Sequence, residues 1–281
     1  MIWLLPAAVS SIAIAIILKV NEGWKGDRLL LAGANYIVAS LLAFAFLGFK
    51  IHRPALSTVW LGGVTGIDYV LAFLVLMAGI SKGPLAVPVT VMRLSVALPV
   101  VFSIFFWGEK PLALQWTGMI LGAVSFILFG SSISGKGKSR TADRGFWPLM
   151  ITLFLVTGIA SVLLKSFSET LQDVDRMAFT WILFTVAAIF TWVMIAVRRV
   201  AFDRRTFFLG LILGVPNLFS TVFTLIALRT VPASIAFPFI NVTVISGSAF
   251  AAFYIWKEKL GRMALLGLAA AAAALVLLTV K

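Results

Sequence analysis

The sequence predicts an all-α polytopic membrane protein with ten transmembrane helices, arranged as two inverted repeats of five helices. Three observations predict this class: a very apolar composition, ten apolar stretches of membrane-spanning length, and a similarity between the two halves of the chain. Of the 281 residues, 62 % are hydrophobic and only 12 % are charged, and the mean hydropathy is +1.10. A soluble domain is closer to half apolar and a quarter charged, so the expected solvent is a lipid bilayer.

Each expected span is an apolar stretch of about 20 residues, the length at which a helix crosses roughly 30 Å of hydrocarbon. The connections are short and leave little chain for a soluble domain. In chain order, the predicted spans are 2–19, 29–48, 57–79, 84–106, 112–130, 146–166, 177–197, 206–228, 232–256 and 260–280.

The basic residues indicate topology and not a nucleic-acid partner. The net charge is +13, but the lysines and arginines are dispersed through the loops instead of lining one face. Such residues accumulate in cytoplasmic loops, and the larger share follows the odd-numbered spans. We therefore expect both termini outside, in a multi-pass protein of the plasma membrane (bacterial inner membrane). The chain has no cysteine, which excludes disulfide and thiol chemistry.

The chain divides into two similar halves. A basic stretch rich in Ser and Gly, 131–145, separates five spans from five, so we expect one repeat over 1–130, a cytoplasmic linker, and a second repeat over 146–281. "GIDYVLAFLVLMAGISKGP" from Gly66 aligns with "GVPNLFSTVFTLIALRTVP" from Gly214, and "WGEK" aligns with "WKEK". A repeat with an odd number of spans enters the membrane from the opposite side in its second copy. Carriers built in this way bind their substrate near the midplane between the halves.

These stretches carry a resemblance to a known family. "VPVTVMRLSVALPVVFSIFFWGEKPLALQWTGMILGAVSFILFG" combines a Pro-containing helix, a Gly-Glu-basic turn and a Gly-rich closing helix, and "ASIAFPFINVTVISGSAFAAFYIWKEKLGRMALLGLAAAAAALVLL" repeats the unit with Lys257 in place of the glycine. The chain resembles the EamA-type members of the drug/metabolite transporter superfamily over essentially its whole length. The resemblance implies a ten-helix bundle with helices 5 and 10 at the periphery. It also implies a central cavity lined mainly by helices 1, 3, 4, 6, 8 and 9.

Two ionisable side chains, Asp68 and Arg93, lie far from either end of a predicted span. A charge at the centre of a bilayer helix costs about 2.5–3.5 kcal/mol and normally has a partner. At about 1.5 Å per residue, their depths differ by roughly 5 Å when measured from the shared turn, so an Asp68–Arg93 pair is plausible. At an offset of 149 residues Asp68 aligns with Asn217, and at an offset of 148 Arg93 aligns with Asn241; we expect all four residues near the middle of the protein.

Three roles for the charged pair remain open at this stage. In the first, the pair is structural and binds helix 3 to helix 4. In the second, the pair lines a hydrated cavity and binds a zwitterion, with the ammonium at Asp68 and the carboxylate on Arg93. In the third, protonation of Asp68 couples transport to a proton gradient, although a neighbouring arginine opposes protonation.

Several further residues belong to the predicted site. Pro88, Pro99, Pro232 and Pro238 are expected to kink their helices and to free carbonyls near the cavity. Tyr69 and Phe237 are candidates for an aromatic wall around a solute. By contrast, we expect Lys19 and Lys165 to extend to the lipid headgroups.

The predicted function is secondary transport of a small organic solute, with an amino acid or another zwitterionic metabolite as the best guess and export as one direction. The alternative is a flippase or exporter of lipid or lipid-linked groups. A membrane-embedded enzyme is a remote alternative, because the only histidine, His52, is in a loop and acidic residues are scattered. No cofactor or metal is expected. The expected partners are the solute and the bilayer, and the chain is expected to be a monomer, with a dimer left open.

Overall fold

The computed structural model describes residues 1–48, 54–82, 86–134, 145–170, 175–257 and 261–280. His52, Glu258 and most of the linker lie outside the described residues. Eleven helices form in this part of the chain: α1 (Leu4–Gly23), α2 (Arg28–Phe46), α3 (Leu56–Lys82), α4 (Ala86–Leu94), α5 (Ala97–Phe106), α6 (Ala113–Ser134), α7 (Phe146–Thr170), α8 (Arg176–Arg198), α9 (Arg204–Ala227), α10 (Ala233–Trp256) and α11 (Arg262–Thr279).

The prediction of ten helical spans is confirmed. Within the described ranges, nine spans are long and apolar enough to cross a membrane, with α4 and α5 together forming one of them over Val87–Phe106. The tenth, α6, is apolar over Ala113–Phe129. The predicted and observed boundaries agree closely because long apolar runs are the strongest signal that a membrane sequence carries.

The fourth span is broken between α4 and α5, and Pro99 explains the break. A proline inside a helix donates no backbone hydrogen bond, and its ring clashes with the carbonyl of the residue four positions earlier, here Ser95. Around that point the hydrogen bonds shorten to a spacing of three: Val96 N donates to the Arg93 carbonyl at 3.4 Å, and Leu98 N donates to the Ser95 carbonyl at 3.0 Å. The break therefore follows Leu94, one residue after Arg93.

The chain divides into two compact units. The first unit comprises Met1–Val70 and Leu163–Thr230, and the second comprises Leu71–Val162 and Val231–Lys281. Each unit therefore combines helices from both halves of the sequence.

In the first unit, α2 packs against α8 and α9, and α1 packs against α9. Small residues allow this close approach. A Cβ on Gly210 would lie 2.6 Å from the Leu31 carbonyl oxygen, and a Cβ on Gly214 would lie 2.7 Å from the Asn35 carbonyl oxygen. Helix α9 therefore contacts the backbone of α2 directly, which only glycine permits.

The contact between α3 and α8 repeats this arrangement. A Cβ on Gly66 would lie 2.5 Å from the Leu183 carbonyl oxygen, and one on Gly62 would lie 3.2 Å from the Phe179 carbonyl oxygen. Each residue of this contact has a counterpart in the α2–α9 contact, 148 residues away: Gly62 and Gly210, Gly66 and Gly214, Phe179 and Leu31, Leu183 and Asn35. The same number of residues separates Arg93 from Asn241. The two halves of the sequence therefore make matched helix contacts in a constant register.

In the second unit, α6 packs along α11, and α10 contacts α5, α6 and α11. Phe126, Val242, Ala271 and Ala274 form a fully buried apolar cluster at the junction of α6, α10 and α11. Gln115 closes one end of the α6–α11 pair by donating from Nε2 to the Val280 carbonyl at 2.9 Å.

Candidate functional site

Arg93 and Asn241 contact each other in the second unit. Nη1 of Arg93, in the last turn of α4, donates a hydrogen bond to Oδ1 of Asn241 in α10 at 3.0 Å. The Nε atom of Arg93 is buried and has no hydrogen-bond partner among the residues that the structure describes. The amide orients the guanidinium but carries no charge, so it does not neutralise it.

The orientation of Asn241 is fixed by the helix that carries it. Its Nδ2 donates to the carbonyl of Phe237, one turn earlier, at 3.0 Å. This bond turns Oδ1 toward Arg93, because an amide has one accepting and one donating end. Phe237 is buried, with 5 % of its surface exposed, and its carbonyl takes part in the polar contact; a role of its ring in an aromatic wall stays a prediction.

The start of α10 is held by Glu109, from the turn after α5. Its Oε1 accepts from the Ala233 N–H at 2.8 Å, and its Oε2 accepts from the Ser234 N–H at 2.9 Å. A carboxylate at a helix N-terminus satisfies unpaired N–H groups and interacts favourably with the helix dipole. Glu109 therefore fixes the helix that presents Asn241.

One face of α10 carries a row of polar groups. Ser234, Asn241 and Ser248 are spaced seven residues apart and so lie on the same side of the helix, about 10 Å from one to the next. The hydroxyls of Ser234 and Ser248 are buried without a hydrogen-bond partner in the described ranges. Because buried polar groups are normally hydrogen-bonded, this row has bonding capacity for water or a solute.

Asp68 lies in the first unit, on α3. The residue is 8 % exposed, and its Oδ2 has no hydrogen-bond partner in the part of the chain that the structure describes. The next residue, Tyr69, meets the ring of Phe184 edge-on at 6.5 Å, and Tyr36 stacks on the same ring at 6.2 Å. A buried carboxylate with bonding capacity to spare attracts a cation or a proton donor.

Asn217 is also in the first unit, where its Nδ2 donates to Oδ1 of Asn35 in α2 at 3.0 Å. Asn35 was missed by sequence reasoning, because it carries no charge and its counterpart in the other half is a leucine. The packing register of 148 residues places Tyr69, and not Asp68, opposite Asn217. The alignment of Asp68 with Asn217 is therefore displaced by one residue.

The four candidate residues fall into two pairs, one in each compact unit. Asp68 and Asn217 belong to the first unit, and Arg93 and Asn241 belong to the second. The ion pair between Asp68 and Arg93 stays a prediction.

The four candidate prolines occupy different places in their helices. Pro88 is in the first turn of α4, where its missing N–H leaves no helix bond unmade. Pro232 is the N-cap of α10, and Pro238 lies inside α10. A further proline, Pro216, lies inside α9 directly before Asn217.

Lys165 differs from its expected position at the headgroups. Its side chain is only 3 % exposed, and its Nζ donates to Oε1 of Glu169 at 2.5 Å within α7. The prediction that this lysine extends to the lipid headgroups is therefore wrong. The spacing of four residues between a lysine and a glutamate was the available signal.

Comparison with known proteins supports the fold. No protein-family profile matches the chain, and no curated protein matches it. A solved crystal structure is similar to 97 % of this chain over 95 % of its own length, with a TM-score of 0.79 and 14 % sequence identity. At that identity the similarity concerns the fold. The chain is thus a polytopic membrane protein whose helical arrangement has a counterpart of known structure.

Proposed function

We propose that this protein is a secondary carrier of a small organic solute that bears a carboxylate, with an amino acid or another zwitterion as the substrate class. The single observation that carries the proposal is Arg93, an intramembrane guanidinium whose hydrogen-bond partner is a neutral amide. A permanent charge at this depth is costly and is typical of a substrate or ion pathway.

The chemistry of the guanidinium favours a carboxylate as its ligand. Arginine presents a planar fork of N–H donors that matches the two oxygens of a carboxylate, and Asn241 engages only one of its nitrogens. Water or a solute is then needed to satisfy the buried Nε. A solute carboxylate supplies both the missing acceptor and the missing negative charge.

The matched packing of the two halves supports alternating access. The α2–α9 and α3–α8 contacts repeat in the register of 148 residues, as expected for two copies of one five-helix unit. Inverted copies of such a unit give carriers two equivalent conformations, one open to each side of the membrane. On this proposal the pair of Arg93 and Asn241 comes from equivalent positions of the two copies.

A ligand series tests the carboxylate requirement. The purified protein is titrated, with its unfolding temperature as readout, against amino acids, the corresponding amines without the carboxylate, and the amino acid esters. We expect stabilisation by the amino acids only. Arg93→Lys keeps the positive charge but loses the planar fork of N–H donors. In this variant the affinity for the amino acid, read from the titration of the unfolding temperature, and the rate of uptake into proteoliposomes should each fall by at least tenfold.

Arg198→Gln is the matched control, because Arg198 is an arginine in the last turn of α8. It should leave both readouts unchanged. Uptake that survives in Arg93→Gln would contradict the proposal and leave Arg93 a structural role. Transfer of a labelled phospholipid between leaflets, without any solute-dependent stabilisation, would favour the lipid flippase instead.

A further inference from the structure

A cavity lies at one end of the first unit, where the connection between α1 and α2 meets the start of α9. This cavity of about 500 Å³ is lined by Trp24, Asp203, Arg204, Arg205, Phe208, Leu209 and Ile212. Its volume is in the range of small-molecule sites. Its position at helix ends, with an exposed tryptophan, is typical of the membrane–water interface.

The loop that forms one wall is held firmly in place. The amide of Asn21 donates from Nδ2 to the Gly26 carbonyl at 3.1 Å. A Cβ on Gly26 would lie 2.3 Å from Oγ1 of Thr206, so the loop contacts the first turn of α9 directly. The loop that carries Trp24 is therefore held beside the first turn of α9, and Trp24 lines the cavity together with the two arginines.

The acidic groups at this end are already engaged. Glu22 pairs with Arg28 at 2.6 Å, and Asp27 accepts hydrogen bonds from the first N–H groups of α2. Asp203 caps α9 by accepting from the N–H of Thr206 at 2.9 Å. The hydroxyl and N–H of Thr206 hold the pKa of Asp203 below its usual range, so this carboxylate stays ionised and committed to the cap.

The two arginines are thus available to an outside anion. Within the described ranges neither Arg204 nor Arg205 makes an ion pair, although Arg205 lies near enough to Asp203 to stabilise its charge. Arg204 lies over the ring of Phe208, with its guanidinium carbon 5.5 Å from the ring centroid. This contact holds the guanidinium at the boundary between the charged and apolar parts of the cavity.

The lining changes from charged to apolar along the axis of α9. Arg204, Phe208 and Ile212 are spaced four residues apart, so they follow one face of the helix over about 12 Å. Phe208 and Ile212 are 51 % and 60 % exposed. The order of cation, aromatic ring and aliphatic chain matches the order of phosphate, ester and acyl chain in a phospholipid.

We propose that this cavity is a specific site for an anionic phospholipid. The phosphate binds Arg204 and Arg205, Trp24 covers the glycerol region, and one acyl chain follows Phe208 and Ile212. Basic pockets between helices recognise anionic headgroups in this way. The site is independent of the solute site on α4 and α10 and does not depend on the proposed transport function.

Native mass spectrometry of the whole chain in neutral detergent tests the site. The protein is titrated with phosphatidylglycerol or with phosphatidylcholine of the same acyl chains, and the fraction carrying one lipid is measured. We expect selective retention of phosphatidylglycerol. The double variant Arg204→Gln/Arg205→Gln should weaken it by about 25-fold, or about fivefold for each arginine.

The matched control is Arg198→Gln/Arg199→Gln, which removes two neighbouring arginines that do not line the cavity. It should retain the preference for phosphatidylglycerol. An equal loss in both double variants would overturn the proposal, because it would show a general effect of charge. Phe208→Ala should also weaken binding. If it does not, and if glycerol phosphate binds as tightly as the lipid, the occupant is a free phosphate compound and the lipid proposal is wrong.

Discussion

Asn241→Asp separates a substrate-binding role of Arg93 from a structural one. The substitution keeps the size of the side chain but places a carboxylate where the amide oxygen accepts from Arg93 Nη1 at 3.0 Å. It also loses the donation from Nδ2 to the Phe237 carbonyl. The guanidinium then has an internal negative partner, which competes with any carboxylate from the solute.

The magnitude follows from the exchange of one hydrogen bond for another. A hydrogen bond from a charged donor to a neutral acceptor contributes about 1.5–3 kcal/mol, and a close pair of opposite charges is coupled more strongly, by about 1.5–7 kcal/mol. Taking about 1.5 kcal/mol for the difference, the solute carboxylate must overcome that much additional free energy. Since 1.4 kcal/mol is tenfold in affinity, we expect the Kd for the solute to rise about tenfold.

The assay is a titration of the unfolding temperature with the carboxylate solute found in the ligand series, followed by uptake into proteoliposomes. The ligand-free variant should be at least as stable as the wild type, while its solute affinity falls. Asn21→Asp is the matched control, because Asn21 lies near the end of α1, outside the candidate residues, and its Nδ2 donates to the backbone carbonyl of Gly26. A variant with higher stability and unchanged solute affinity and uptake would refute the reasoning and assign Arg93 a structural role.

Three further predictions concern the scaffold. Gly66→Ala should destabilise the protein by about 1–3 kcal/mol, because its Cβ would lie 2.5 Å from a backbone oxygen of α8; Gly63→Ala, with nothing within 4 Å, should be neutral or stabilising in thermal unfolding. Glu109→Gln should cost about 1–2 kcal/mol, because it removes one of two acceptors and the charge at the start of α10, whereas Glu22→Gln, at an exposed ion pair, should cost less than about 1 kcal/mol. The carboxylate of Asp203 should cap α9 fully above about pH 4, and the cap should be lost as the pH falls through the lowered pKa of Asp203. Hydrogen exchange of the N–H groups in the first turn of α9 measures this loss. Loss of protection already near pH 6 would contradict the prediction.

The spans could be predicted from the sequence because each is a local property. The eighth predicted span, 206–228, corresponds to α9, Arg204–Ala227, since a bilayer of fixed thickness selects apolar runs of fixed length. The position of the break after Leu94 was harder to predict from the sequence, because Pro99 acts through the carbonyl of a residue four positions earlier. A proline therefore marks a kink without giving its position.

The polar contacts were harder to predict because they depend on register. Arg93 and Asn241 could be singled out from the repeat, and they do touch. Asn217 was aligned one residue away from its packing counterpart, because loops of unequal length allow a motif alignment to slide. On a helix one residue is a rotation of about 100°, so such a shift changes the face on which a side chain lies. Asn35 had neither charge nor a polar counterpart to mark it.

The pair of Arg93 and Asn241 combines matched helix contacts with unequal chemistry. The helix contacts of the two halves match in a single register, and the same register separates these two residues. Two arginines at equivalent positions would repel each other, and two amides would leave no charge to attract an anion. One arginine beside one amide gives a guanidinium that is oriented but not neutralised. A purely structural contact has no need of that charge, since an amide pair would avoid the cost of placing it within the membrane. The retained charge is therefore the strongest reason to seek its counter-ion on the solute.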